Sequence, residues 1–150
     1  MKFDVLTLFP EMFASMQASV IGRAIQKRII EMNLVNIRDF SKDKHKKVDD
    51  YPYGGGAGMV MRPDVVYDAY QSLPDKEAKV IYLSPQGKLL TQRKVQELSK
   101  ENHLILLCGH YEGIDQRVID EIVDEEISIG DYIVTGGELP AMVLMDAISR

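Results

Sequence analysis

His103-Leu104-Ile105-Leu106-Leu107-Cys108-Gly109-His110-Tyr111-Glu112-Gly113-Ile114-Asp115 is the stretch on which the fold turns. From His103 to Cys108 the run is strand-sized and unbroken in its apolar character, which predicts a strand buried on both faces. Gly109 ends that run, and Asp115 to Val123 takes up a helical spacing. Strand, glycine-bearing loop, helix: repeated along a chain, that unit predicts an α/β domain with a largely parallel sheet.

The unit does repeat. On the N-terminal side, Lys79 to Ser84 reads as a β-rich strand stopped by Pro85-Gln86-Gly87. Thr91 is then an N-cap, with Leu90 and Val95 spaced as a hydrophobic staple for a helix reaching about Lys100. Phe3 to Phe9 is a further buried strand, and Pro10-Glu11 opens a helix whose apolar period runs through Val20, Ile21, Ala24, Ile25 and Ile29 toward Asn33. Val35 to Phe40 is another strand candidate, and Asp64 to Leu73 is helical, with Val65, Val66, Ala69 and Leu73 on one side. On the C-terminal side, Ile127 to Thr135 reads as extended structure interrupted at Gly130. Pro140 sits at the start of a last helix reaching Arg150, apolar nearly all round, as in helices buried in a core or a subunit interface.

One hundred and fifty residues fit one domain, and 45% hydrophobic with 27% charged residues is ordinary globular composition. No run approaches the ~20 apolar residues of a membrane span. The single Cys108 has no partner for an internal disulfide or a zinc site, so a cytoplasmic protein is expected. The net charge of −5 is unevenly spread: residues 1–100 carry 16 basic against 12 acidic side chains, residues 101–150 only 2 against 11. Lys42, Lys44, His45, Lys46 and Lys47 are the densest basic cluster, either a solvated loop or a phosphate-contacting patch.

Open α/β sheets gather ligands at the carboxyl ends of their strands, which directs attention to three loops. The first is Tyr82-Leu83-Ser84-Pro85-Gln86-Gly87, by itself only a β-to-α turn. The second is Gly109 to Asp115, where two glycines four apart let backbone approach a ligand and Tyr111 and Glu112 offer a ring and an acceptor. Glu112 and His110 are equally readable as surface loop residues. The third is Ser128 to Pro140, dense in backbone donors and acceptors beside apolar side chains, a mixture that suits a flat adenine ring. The glycine run at 54–58 has neither the spacing of a dinucleotide fingerprint nor the Lys-Ser/Thr of a P-loop, and no zinc or nucleophile-elbow motif is present.

Taken in order, these stretches resemble the bacterial tRNA (guanine-N1)-methyltransferases. The similarity is carried by Leu6-Thr7-Leu8-Phe9-Pro10-Glu11-Met12-Phe13, Val48-Asp49-Asp50, Tyr53-Gly54-Gly55-Gly56 and Gly58-Met59. It continues through Gly109-His110-Tyr111-Glu112-Gly113, Ile129-Gly130-Asp131-Tyr132 and Thr135-Gly136-Gly137-Glu138-Leu139-Pro140-Ala141-Met142. Ala57 departs from the pattern of several relatives. The resemblance implies a SPOUT-class α/β domain over residues 1–150, with a mostly parallel sheet and a deep trefoil knot. It implies that S-adenosyl-L-methionine is bound by Tyr82, Leu83, Ser84 and Pro85, by Gly109, Tyr111, Glu112 and Gly113, and by Ser128, Ile129, Gly130, Asp131, Tyr132, Ile133, Val134, Gly136, Gly137 and Pro140.

Asp49, Asp50, Gly54, Gly55, Gly56 and Gly58 are implied to receive the guanine 3′ of the anticodon of a tRNA. Arg150 is implied to assist methyl transfer, with Glu112 as the participant of a magnesium requirement; no metal site is readable from spacing. The family's C-terminal tRNA-binding domain, with its proposed aspartate base, lies beyond Arg150. The expectation is therefore a donor-binding, homodimer-forming domain that is catalytically incomplete. Another SPOUT RNA methyltransferase and a non-catalytic RNA-binding module are the competing expectations.

Overall fold

Burial of apolar strand faces accounts for most of the architecture in the computed structural model, which describes residues 1–52 and 54–150. Tyr53, at the head of the glycine run, lies outside the described residues. In chain order the elements are β1 (Lys2–Thr7), a 3-10 helix (Pro10–Gln17), α1 (Ser19–Gln26), β2 (Glu31–Asn36) and a 3-10 turn (Ile37–Phe40). There follow β3 (Asp49–Asp50), β4 (Val60–Met61), α2 (Pro63–Gln71), β5 (Lys79–Leu89) and α3 (Gln92–Leu98). The chain closes with β6 (His103–Cys108), α4 (Gln116–Ile122), β7 (Glu125–Ser128) and α5 (Glu138–Ser149).

Five strands form one sheet in the order β2-β1-β6-β5-β7, every neighbouring pair parallel, while β3 and β4 make a separate antiparallel pair. The α/β class with a parallel, helix-flanked sheet is thus as the sequence predicts. Alternation along the strands divides two cores. Phe3, Val5, Ile81, Leu83, Leu104 and Leu106 face Phe13, Val95, Leu98 and Leu144. Leu6, Val80, Tyr82, Ile105 and Leu107 face Val65, Val66, Ala69, Val118 and Ile119. β6, covered on both sides and flanked by β1 and β5, is the continuous apolar run that decides the fold.

The structure corrects four boundaries. The helix expected from Pro10 to about Asn33 is a 3-10 segment followed by an eight-residue α-helix. Arg28 ends it in the left-handed region (φ 59°), and a Schellman pair of bonds closes it, Ile29 N–H to Ala24 at 2.9 Å and Arg28 N–H to Ile25 at 3.0 Å. The strand expected at Val35–Phe40 lies earlier, at Glu31–Asn36; as the sheet edge it tolerates polar residues such as Asn33, whose amide donates to the buried Asp4 carboxylate at 2.7 Å. Pro85-Gln86-Gly87 does not end β5, because pairing with β7 resumes at Lys88 after a register shift. Gly87 makes that close passage feasible, since a Cβ there would fall 2.5 Å from the Ile127 nitrogen. Lastly, the extended stretch expected at Ile127–Thr135 is strand only to Ser128, and residues 129–137 are loop.

The Thr91 cap is present, its hydroxyl accepting from the Lys94 N–H at 3.2 Å. Helix α5 buries Ala141, Leu144, Met145 and Ile148 while leaving Leu139 and Val143 about half exposed. Among the described residues no helix is long and apolar enough to cross a membrane.

Candidate functional site

The carboxyl ends of β5, β6 and β7 lie side by side, so the loops that leave them converge. Between them is a cleft of about 350 Å³. Of the donor-binding residues implied by the sequence, Tyr82, Leu83, Ser84 and Pro85 line it from the first loop, and Gly109, Tyr111, Glu112 and Gly113 from the second. The third loop contributes Ser128, Ile129, Tyr132, Ile133, Val134, Gly136, Gly137 and Pro140. Gly130 and Asp131 do not reach the lining. Gly130 instead forms a tight turn, its N–H and carbonyl both bonded to the Ser128 hydroxyl.

Short contacts explain why glycine stands where it does. The Gly137 N–H donates to the Gly109 carbonyl at 2.9 Å, tying the second loop to the third. A side chain at Gly137 would strike the Cys108 backbone at 2.8 Å, and one at Gly109 would meet the Tyr82 ring at 3.0 Å. Tyr111 holds a left-handed φ of 60° with its ring half exposed, a conformation that non-glycine residues adopt only when their surroundings impose it. In the third loop Tyr132 and Ile133 are 59% and 82% exposed, apolar surface that the fold leaves uncovered beside the cleft.

Tyr82 forms part of the floor. Its phenol is pushed up to about 12, first by burial and then by the charge of Glu126; a bond from the Ile114 backbone works the other way. The ring therefore stays neutral throughout ordinary pH.

Beneath the second and third loops sits a buried polar chain that the sequence did not single out. Glu138, 1% exposed in the first turn of α5, accepts from the Thr7 hydroxyl at 2.7 Å and is paired with the His110 imidazole. The Thr7 hydroxyl in turn accepts from the Phe9 N–H at 3.0 Å, and the Phe9 ring packs on His110 with centroids 4.9 Å apart. One carboxylate thus joins the end of β1, the second loop and the start of α5. Its only sequence signal is its place in Gly136-Gly137-Glu138-Leu139-Pro140. Gln86, Gln116, Ile119, Glu126 and Ile127 also line the cleft, without a motif to mark them as donor-binding. For Glu126 the obstacle is the start of β7, which lies at Glu125 rather than at Ile127.

The segment implied to receive the guanine adjoins this cleft. Asp49 pairs with Met61 and Asp50 with Val60, and the β3–β4 pair is laced to the second loop. Glu112 N–H donates to Met59 at 2.9 Å, Met61 N–H to Gly113 at 2.9 Å and Asp115 N–H to Met61 at 3.1 Å. Gly58 (φ 82°) packs on the Glu112 side chain so closely that a Cβ would overlap its Cγ. Among the described residues a Cβ added at Gly54 or Gly55 would meet nothing within 4 Å, and one at Gly56 would meet only the Pro52 ring.

Arg150 is elsewhere. It follows the twelve residues of α5, about 18 Å of helix, and lines a second cleft with Ser15, Gln92, Ser99 and Asp146. Within one chain the structure does not bring it to the first cleft. Among the described residues no group of three or more His, Cys, Asp or Glu side chains is placed to hold a metal ion. Glu112 therefore belongs to no such group among the described residues.

The family described as tRNA (Guanine-1)-methyltransferase TrmD matches residues 1–150. A tRNA (guanine-N(1)-)-methyltransferase of Ruminiclostridium cellulolyticum is 68% identical, covering 100% of this chain and 66% of the relative. Counterparts of the same name from Finegoldia magna and Clostridioides difficile are 58% and 56% identical, again over the whole chain, which spans 65% and 67% of them. The chain thus spans about two thirds of the length of these relatives.

Proposed function

The chain belongs to the tRNA (guanine-N1)-methyltransferase family, and from that membership we propose that its strand-end cleft holds S-adenosyl-L-methionine for methylation of N1 of the guanine 3′ of the anticodon in tRNA. The observation that carries this reading is the convergence of three separated loops: every donor-binding residue implied by the sequence except Gly130 and Asp131 lines one cleft. The cleft suits the donor's nucleoside. Leu83, Ile127, Ile129, Ile133 and Val134 offer apolar walls, and backbone is approachable at Gly109, Gly136 and Gly137.

The bound donor supplies a methyl group already activated on a sulfonium. The chain's own task is placement. Tyr82 and the three loops fix the donor, while Asp49, Asp50 and the glycines at 54–58 receive the base next to Glu112. Holding two reactants in line supplies much of such a rate enhancement. No step is assigned to magnesium. Removal of the guanine N1 proton belongs to a group outside residues 1–150, so these residues act as the donor-binding and dimerisation domain, by themselves weakly active or inactive. In a homodimer, Arg150 and the half-exposed Leu139 and Val143 of α5 fall at the subunit contact, which would let Arg150 serve the partner's cleft, stabilising charge on the guanine oxygen. The family's trefoil knot belongs to the same reading. It is supported by β6 lying between β1 and β5 while β7 lies outside β5, and by the return of α5 to Thr7. A cytoplasmic location follows from a tRNA substrate.

Calorimetry of the 150-residue chain with S-adenosylmethionine is the direct test, and micromolar binding is expected. A folded chain that binds neither donor nor demethylated product refutes the reading. Transfer of labelled methyl to a tRNA with guanine beside the anticodon, by this chain alone and by a chain carrying the relatives' further third, tests the division of labour. A non-catalytic RNA-binding module would bind tRNA without binding donor.

A further inference from the structure

We propose that Glu126 is the counter-charge for a cationic group of the bound donor, a role resting on the reading of the cleft as the donor site. β7 begins with two acids whose side chains leave on opposite faces, as successive strand residues must. Glu125 is neutralised: Lys94 Nζ stands 2.5 Å and Lys79 Nζ 3.6 Å from its carboxylate. Glu126 has the other surroundings. It is the register partner of Tyr82, shares that ring's face and lines the cleft.

Among the described residues no hydrogen bond or ion pair holds the Glu126 carboxylate, although it is half-buried. Its charge acts across the cleft floor on the Tyr82 phenol. Among the described residues no lysine or arginine stands in the lining, and the imidazole there, His110, is committed to Glu138. The second lining carboxylate, Glu112, packs against Gly58 at the mouth shared with the β3–β4 pair. A half-buried carboxylate that lacks a protein partner is stabilised by whatever cation enters beside it. A donor of this class brings two, the sulfonium and the α-ammonium.

Three ligands separate these sources. S-adenosylmethionine carries both cations, S-adenosylhomocysteine only the ammonium, and methylthioadenosine neither, while all three share the adenosine. Isothermal titration of the intact 150-residue chain and of Glu126→Gln with each ligand is the experiment. An affinity loss of about tenfold is expected for S-adenosylmethionine, the order set by removing one unit charge from a half-open cleft, with methylthioadenosine changed by less than about twofold. S-adenosylhomocysteine then assigns the group: unchanged, Glu126 faces the sulfonium; weakened equally with the donor, it faces the ammonium. Glu126→Asp, which keeps the charge, is expected to recover most of the loss.

Equal weakening of all three ligands, or no change in any, overturns the proposal. So does an affinity for the donor that Glu126→Asp retains no better than Glu126→Ala. If Glu126→Gln binds no ligand, the intact chain decides: its preference for S-adenosylmethionine over methylthioadenosine must shrink as ionic strength rises, and a salt-independent preference overturns the proposal. Failure of the intact chain to bind any of the three would instead refute the donor-site reading itself.

Discussion

Replacing Glu138 by alanine probes the buried polar chain that joins three segments around the cleft. Glu138 is 1% exposed and Thr7 is fully buried. Without the carboxylate, the Thr7 hydroxyl loses the acceptor it reaches at 2.7 Å, and a buried donor left unsatisfied costs about 1–3 kcal/mol. His110 is only partly buried and can turn to water, so its lost pairing adds little. Removing an acid from the first turn of α5 adds about 0.3–1 kcal/mol, and the cavity left by the γ-methylene and the carboxyl group about 1 kcal/mol more. The sum is about 3 kcal/mol, or a fall in Tm of roughly 10 °C for a chain of this length.

Thermal and urea unfolding followed by circular dichroism, at one fixed protein concentration because assembly shifts apparent stability, is the assay. A cycle with Thr7→Val isolates the contact: once the hydroxyl is gone, losing the carboxylate should cost at least about 1 kcal/mol less than in the intact chain. A Glu138→Ala variant within about 0.5 kcal/mol of the parent, or strict additivity with Thr7→Val, would refute the assignment of a buried charge-bearing tie.

Four more outcomes rest on named contacts. Tyr82, its phenol pushed up to about 12, binds its proton more tightly folded than unfolded. Its contribution is therefore intact below the unfolded value near 10 and falls as pH rises from there toward 12, by about 2 kcal/mol; absorbance titration at 295 nm should show a late tyrosine ionisation that Tyr82→Phe removes. Gly22→Ala raises helix propensity by roughly 1 kcal/mol yet should destabilise, because the new Cβ would overlap the Gln17 carbonyl oxygen; a higher Tm would contradict this packing. Arg28→Gly should stabilise by up to about 1 kcal/mol, since glycine adopts the observed φ of 59° without strain, and the denaturation midpoint reads it directly. Gly136→Ala drives a Cβ into the His110 ring and to 2.8 Å from the Glu138 carboxylate, displacing two loops, and should weaken S-adenosylmethionine binding by roughly tenfold or more; unchanged affinity in calorimetry would count against that geometry.

By itself the sequence determined the layers. β6, most of β1 and the start of β5 are buried on both faces, and burial of that kind leaves a short, largely apolar run bounded by turn residues. It also determined which loops matter, because glycine is written into a sequence wherever backbone must pass within contact distance of other atoms, as at Gly109 and Gly137. Edges and ends were decided elsewhere. β2 hydrogen-bonds on one side only and carries Asn33 toward a buried Asp4, so its pattern has no strand period to read. Helix α1 stops at an arginine rather than a glycine, held in a left-handed conformation by its closing bonds. The apolar residues Ile129, Ile133 and Val134 looked like strand but line a cleft, because apolar side chains are selected alike for a core and for a ligand. Only the tertiary structure could seat Glu138 between Thr7 and His110, 131 and 28 residues away, or separate Glu126 from the lysines that hold its neighbour. A charged residue's worth depends on what stands within a few ångströms of it, and that distance is not encoded by its place along the chain.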